Sequence, residues 1–339
     1  MSGRFVTGDA RAQLVAHARD TIARGSKSFA AASRLFDPIT RERVWLLYAW
    51  CRACDDLADD QELGGTLGDQ AGGADRLAAI RTLTAATLAG EPTGNPSFDA
   101  LGVVARETGI TARMAEDVIE GFALDAAEWL PRSEADLLRY CYHVAGAVGV
   151  MMAVVMGVDP RDDDTLDRAC DLGLAFQLAN IARDLCEDYS AGRCYLPAEW
   201  LAEADIPPGE HMKPPYRAAL VPLVGRMTDM ALEYEAASRI GAARLAFRQR
   251  WAVLSAAGIY GAIGRKVAAG GAHAWDHRVT TSKAQKLGFV ARALGQAVLP
   301  APANIAIPAW SRREIASYAA ARAAQHNPPL SSVINEIAG

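Results

Sequence analysis

Residues 44–60 read VWLLYAWCRACDDLADD, a helix-spaced apolar run that closes on four aspartates. Asp55 with Asp59, and Asp56 with Asp60, are i, i+4 pairs, stacked about 6 Å apart along a helix axis. Tyr48, Arg52, Asp55, Asp56 and Asp59 share one stripe of that helix. Residues 176–188, FQLANIARDLCED, repeat the design: Gln177, Asn180, Asp184 and Asp188 fall on one face, with Arg183 beside them. Both clusters work against an isolated helix. Like charges at i, i+4 cost about 0.2–0.5 kcal/mol each. Both also stand just before glycine-containing stops, at the negative end of the helix dipole. Repulsion stored twice in this way asks for a cation. Magnesium suits it, being hard and octahedral, content with one or two carboxylates, and completed by water and substrate phosphate. A single cluster reads as a solvated acidic helix end. Two matched clusters, each with an arginine (Arg52, Arg183), point to metal and an anionic leaving group such as diphosphate.

Outward from these two helices the same periodicity continues, and no region sustains the period-two alternation of strands. The spacing predicts helices near 9–24, 38–61, 74–90, 96–108, 112–129, 134–157, 163–189, 214–240, 250–270 and 283–297. Asp37-Pro38 and Asn95-Pro96 read as N-cap followed by first-turn proline. Thr111 and Ser133 are further N-caps. Gly64-Gly65, Gly109 and Gly192 read as helix stops. The glycine-rich segment 61–73 reads as a loop, 298–309 with its three prolines as a linker, and 310–325 as a last helix. The fold class is all-α: one catalytic domain over 1–297, then a linker and tail over 298–339.

The 339 residues, 51% hydrophobic and 22% charged, suffice for a sizeable core. A net charge of -5 gives no footprint for nucleic acid, and no nucleic-acid-binding motif is present. The six cysteines lie in apolar or helical stretches, which favours a reducing compartment. The N-terminus has no apolar h-region, so no signal peptide is read. Tyr140–Val158 carries no Asp, Glu, Lys or Arg and approaches membrane-spanning length. Its glycines, alanines and opening Tyr-Cys-Tyr-His favour a buried helix instead. Cys51 and Cys54 lack a second pair at zinc spacing and read as helix packing. His273 and His277 read as surface residues, and His143 as a satisfied buried one. Gly25-Ser26-Lys27-Ser28-Phe29 offers two hydroxyls, a lysine and amides to a phosphate, although alone it reads as a turn. No Rossmann fingerprint or P-loop is present. Aromatics on these helices (Trp45, Tyr48, Trp50, Tyr140, Tyr260) can face a cation or fill the core.

Three strings, Tyr48-x-x-x-Arg52-x-x-Asp55-Asp56-x-x-Asp59, Tyr140-Cys-Tyr-His-Val-Ala-Gly146 and Gln177-x-x-Asn180-x-x-Arg183-Asp184-x-x-x-Asp188, together with Gly25–Phe29, resemble the squalene and phytoene synthase family in order and spacing. The resemblance runs to about Arg278. Arg193-Cys-Tyr-Leu-Pro197 and residues 169–177 look like the bacterial phytoene synthases, and the last forty residues match nothing. The resemblance implies an isoprenoid-synthase-type helical bundle around a central apolar cavity. It implies head-to-head condensation of two geranylgeranyl diphosphates, with a C30 product from farnesyl diphosphate as the alternative. It also implies magnesium, with manganese as substitute, on Asp55, Asp56, Asp59, Asn180, Asp184 and Asp188. Substrate would meet Ser26, Lys27, Ser28, Tyr48, Arg52, Gln177, Arg183 and Tyr260. Tyr140, Arg52, Arg183, Asp55 and Asp184 would carry the catalysis, with Tyr140 near the reacting carbons. No nicotinamide cofactor is expected. The further expectations are a cytoplasmic enzyme with transient peripheral contact at the inner membrane face, and handover of product to a phytoene desaturase.

Overall fold

Helix ends set the frame. Asp37 accepts from the amides of Ile39 (3.1 Å) and Thr40 (3.0 Å), and Asn95 from Ser97 (3.0 Å), each with proline next in line. Thr111 and Ser133 cap through the amides of Met114 and Asp136, both at 3.3 Å. Gly109 and Gly192 take the left-handed turn that ends a helix.

The computed structural model describes residues 8–61, 68, 72–300 and 304–323, apart from the side chains of Lys27 and Ser28. The described residues form helices α1 (Gly8–Gly25), α2 (Lys27–Ser33), α3 (Pro38–Ala58), α4 (Gly73–Leu88), α5 (Pro96–Thr108), α6 (Ala112–Ala126) and α7 (Glu134–Cys141). There follow a π-turn (Tyr142–Gly146), α8 (Ala147–Val155), α9 (Asp163–Ser190), α10 (Ala198–Glu203), α11 (Arg217–Ala242), α12 (Phe247–Gly270), α13 (Lys283–Val298) and α14 (Arg312–Ala323). No strand occurs among them, so the all-α reading stands.

Four details differ from the spacing. The helix expected over 38–61 stops at Ala58, where Arg76 donates to the terminal carbonyl (3.2 Å) and Asp60 turns to positive φ. The turn expected at 25–29 is the start of α2, with Ser26 as its N-cap. The helix expected over 134–157 carries one wide π-turn, a feature often found at functional sites. Helix α10 was not expected; its entry is fixed by Pro131 and Arg132 carbonyls accepting from Ala198 and Glu199. The stops read at Gly64-Gly65 lie outside the described residues.

The chain forms two compact units, Met1–Ala126 with Val150–Leu166, and Ala127–Gly149 with Asp167–Gly339. In the first, Trp50, Leu46, Leu47, Ile80, Phe98, Leu101 and Ile119 are fully buried, and Trp50 donates to Thr84 (3.2 Å). Arg11 and Arg43 converge on Glu107 at 2.6 and 2.9 Å, tying α1, α3 and α5 together. In the second, the π-turn region crosses α9 with backbone against backbone. A β-carbon at Gly173 would lie 2.3 Å from the Ala145 carbonyl, and one at Gly149 2.5 Å from that of Ala169. Only glycine permits that approach.

The stretch Glu134–Val155 is long and apolar enough to span a bilayer, yet 72% of its most apolar window is buried, in line with a core helix. Within the second unit, α14 packs on α7. Tyr318 donates to the fully buried Asp136 (2.8 Å), and Arg312 pairs with Asp167 (2.8 Å). Part of the tail that matched nothing therefore has a defined place.

Candidate active site

In the first unit the site is built where α1 ends against α3. Gly25 closes α1 directly over Tyr48: a β-carbon there would sit 2.5 Å from the Tyr48 hydroxyl. The Phe29 ring lies 5.7 Å from that of Tyr48. The Gly25–Phe29 motif and the Tyr48–Arg52–Asp55 stripe, 20 to 30 residues apart, thus meet. Burial raises the Tyr48 phenol above its ordinary value, with Arg52 pulling the other way. Ser26 spends its side-chain oxygen on the amide of Phe29 (3.3 Å) as the α2 cap. The Lys27 and Ser28 side chains lie outside the described residues. One turn further along α3, Arg52 pairs with Asp55 and reaches Asp56 at 3.5 Å. Asp59 caps the helix and takes a long bond from Gln61 (3.4 Å). Trp50 belongs to the core, and Trp45 is engaged by Ser33 (2.9 Å).

In the second unit α9 carries the other cluster. Arg183 grips Asp184 through two nitrogens, one at 2.7 Å. Burial works against the Arg183 charge, but the Asp184 carboxylate outweighs it and the guanidinium is held above its ordinary value. Arg278 grips the same carboxylate from the other side, at 3.0 and 3.1 Å, and lies 3.6 Å from Glu187. The segment bearing Arg278 is itself anchored: Trp275 donates to the Ala182 carbonyl (2.9 Å), and Asp276 is paired with Arg217 and with His273 (2.9 Å). Sequence reasoning missed Arg278. It stands 94 residues from Asp184, and no periodicity connects them.

The remaining predicted residues join this second cluster in two ways. Tyr260 stacks on Phe176 at 4.3 Å, next in sequence to Gln177, and contributes to the field on Arg183. After Asp188 the chain folds back, with Arg193 donating to the Asp188 carbonyl (2.8 Å), and delivers Tyr195 onto Tyr140. Those two rings stack at 4.4 Å, and the Trp129 ring stacks with Tyr140 at 6.2 Å. The Arg193–Pro197 string thus buttresses Tyr140, a link the spacing did not suggest. His143 is buried and His273 exposed, as expected, and all six cysteines are free thiols.

The stored repulsion of the sequence is answered within the chain by arginine: Arg52 for Asp55 and Asp56, Arg183 and Arg278 for Asp184. Among the described residues no three His, Cys, Asp or Glu side chains converge on one point. A magnesium ion that takes one or two carboxylates, then water and phosphate, needs no such cage. The decisive fit is at Asn180, whose side-chain oxygen is buried and accepts no hydrogen bond. A buried acceptor left without a donor costs about 1–3 kcal/mol unless something polar reaches it. It lies one turn ahead of Asp184, and every donor here is a hard oxygen.

The sequence profile of the squalene/phytoene synthase family matches residues 22–285. A phytoene synthase of Pseudescherichia vulneris is 48% identical over 88% of this chain and 98% of its own. A 15-cis-phytoene synthase of Pantoea ananas is 45% identical over the same shares. Among solved structures, a dehydrosqualene synthase in complex with ligand superposes with a TM-score of 0.75 at 26% identity, covering 85% of this chain and 98% of that one.

Proposed function

The chain belongs to the squalene/phytoene synthase family, and on that premise we propose that it is a prenyltransferase joining two geranylgeranyl diphosphates into phytoene, at the head of carotenoid biosynthesis. The observation that carries the reaction type lies on α9: an unpartnered Asn180 oxygen one turn ahead of a carboxylate clasped by two guanidiniums. The C20 substrate is supported by the relatives that bear the name phytoene synthase.

In this reading Asp55, Asp56 and Asp59, and Asn180, Asp184 and Asp188, hold magnesium, with manganese the nearest substitute. Once bound, magnesium supplies Lewis acidity toward the departing diphosphates. The chain's own part begins with its guanidiniums. Arg52, Arg183 and Arg278 turn from carboxylate to diphosphate oxygens as substrate binds, assisted by Ser26, Lys27, Ser28, Tyr48, Gln177 and Tyr260. The C1–O bond of one substrate breaks and its electron pair leaves with the diphosphate. The double bond of the second substrate attacks that carbon and a proton is lost, giving a cyclopropyl diphosphate. The second C–O bond breaks in the same sense, the skeleton rearranges, and loss of another proton gives the hydrocarbon. Tyr140, stacked with Tyr195 and Trp129, borders the reacting carbons. The apolar stretch 144–158 walls the chains and excludes water, which would quench the cations. A product so insoluble leaves into lipid, which entails transient membrane contact and handover to a desaturase.

The test is the hydrocarbon formed from geranylgeranyl or farnesyl diphosphate with magnesium, read by mass spectrometry. A C40 product from the C20 substrate is expected. A C30 hydrocarbon as the main product would move the chain to another branch of the family.

A further inference from the structure

Helix α13 is amphipathic in the wrong sense for a soluble surface. Its inward positions are alanines: Ala293 and Ala297 are buried with Ala242 and Leu254 in a small cluster that Trp251 covers. Phe289 packs on Gly258 of α12, but three other large apolar side chains point out. Leu287 is 71% exposed, Val298 70% and Leu294 41%, and the exposed Ala284 and Ala291 complete one stripe. Leu299, next in sequence, and Phe247, at the start of α12, are exposed as well. The two helix ends are joined, since Arg250 of α12 donates to the carbonyl of Leu299. The helix is also pinned from within, by Trp251 donating to the Val290 carbonyl (2.8 Å) and Arg239 to Gln296 (3.3 Å), and by the Ser282–Gln285 capping box at its start. The outward apolar face is therefore a fixed feature of the unit.

Charge says what covers it. Of the ten Lys and Arg in residues 236–298, Arg239 and Arg265 pair with Glu235 and Arg278 with Asp184, which leaves seven others beside the single acid, Asp276, in a chain whose net charge is -5. The remainder holds twenty-five basic against thirty-nine acidic residues. Lys283 stands exposed one turn ahead of Leu287, and Arg248 exposed beside Phe247. Apolar side chains framed by cations suit the surface of an anionic bilayer, where the apolar face enters the interface and lysine or arginine meets the headgroups. A second copy would bring the same positive charge against itself.

We propose that the face formed by Leu287, Leu294, Val298 and Phe247, with its surrounding cations, docks the protein on anionic membrane. This inference names the face for the membrane contact in the reading above, but rests on the surface of α12 and α13 alone, so either can fail without the other. The full chain is sedimented with vesicles of phosphatidylcholine, alone or mixed with phosphatidylglycerol. Wild type is expected to bind the mixed vesicles and to release as salt rises, because headgroup attraction falls within a Debye length. The triple variant L287S/L294S/V298S should bind about tenfold more weakly or worse. Its condensation activity in detergent micelles, and its helical circular dichroism, should match wild type, because the substituted residues are exposed. As an independent reading, Leu294→Trp should shift its fluorescence to the blue on mixed vesicles only. Equal binding of wild type and triple variant, or equal binding to neutral and anionic vesicles, would overturn the proposal. So would a wild-type dimer in sedimentation velocity that the triple variant dissolves without any vesicle binding.

Discussion

Asp55 and Asp184 carry the same charge in different settings, and their variants should separate accordingly. The Asp55 carboxylate is 41% exposed beside one arginine; that of Asp184 is 18% exposed and held by two. Asp55→Ala should therefore lose turnover by about 10²–10³-fold with its unfolding free energy unchanged, since exposed pairs contribute little. Asp184→Ala should lose turnover at least as far and also about 1 kcal/mol of stability, because Arg183 and Arg278 are left facing each other. Steady-state diphosphate release and urea titration check both; full activity in either variant would remove that carboxylate from the metal site. A third aspartate tests the electrostatics away from the chemistry. Burial pushes the Asp171 carboxyl up to about 7 from the usual 3.8, with Arg168 pulling it down. The folded protein then keeps a proton, between about pH 4 and 7, that the unfolded chain has lost, so this group's contribution to stability falls as pH rises through that window. Asp171→Asn should gain on wild type across the window and hold a constant difference above it, as urea titrations at several pH values would record. At this scale the helix spacing made the carboxylates legible, because i, i+4 geometry is local. Arg278 was not legible, because what brings it to Asp184 is the anchoring of Trp275 and Asp276.

Elements were legible wherever a cap and an apolar repeat agreed, as at Asp37, Asn95, Thr111 and Ser133. The π-turn at Tyr142–Gly146 was not; it lies where the chain packs backbone to backbone on α9, at Ala145 against Gly173, a contact no local spacing shows. That wide turn re-phases the helix behind it. Val144, Val148 and Met152, four residues apart, are half-buried in a stretch whose other residues are mostly buried. A half-buried stripe on an apolar helix is what a wall facing a substrate chain requires. Val148→Phe should shift preference toward shorter prenyl diphosphates while leaving the magnesium dependence of turnover in place; competition between C15 and C20 substrates measures it, and an unchanged ratio would take Val148 out of the wall. Helix α14 is a second element with a consequence. Its Tyr318 is a hydrogen-bond donor to the fully buried Asp136, whose other oxygen takes the Arg132 amide at 3.0 Å. Tyr318→Phe should cost about 1–3 kcal/mol, since a buried carboxylate loses a donor. A change below about 0.5 kcal/mol in urea unfolding, the usual scatter of surface substitutions, would mean that α14 is only laid against α7.

For the whole molecule the question is how the last cation is discharged. A squalene-type product needs a hydride from a nicotinamide cofactor at that step, whereas phytoene needs only the loss of a proton. The two outcomes differ by two electrons, so the requirement for a reductant reports the branch independently of chain length. The Arg193–Pro197 string that seats Tyr195 on Tyr140 resembles that of bacterial phytoene synthases. Geranylgeranyl diphosphate with magnesium alone should therefore be converted fully to a C40 hydrocarbon with the ultraviolet absorption of a conjugated triene. Adding NADPH should change neither rate nor product mass. Withdrawing magnesium with a chelator should stop diphosphate release altogether, before any hydrocarbon forms, because each ionisation depends on stabilising the leaving diphosphate and the first one precedes every later step. A product two hydrogens heavier on adding NADPH, or turnover that waits for it, would show that hydride rather than proton loss ends the reaction.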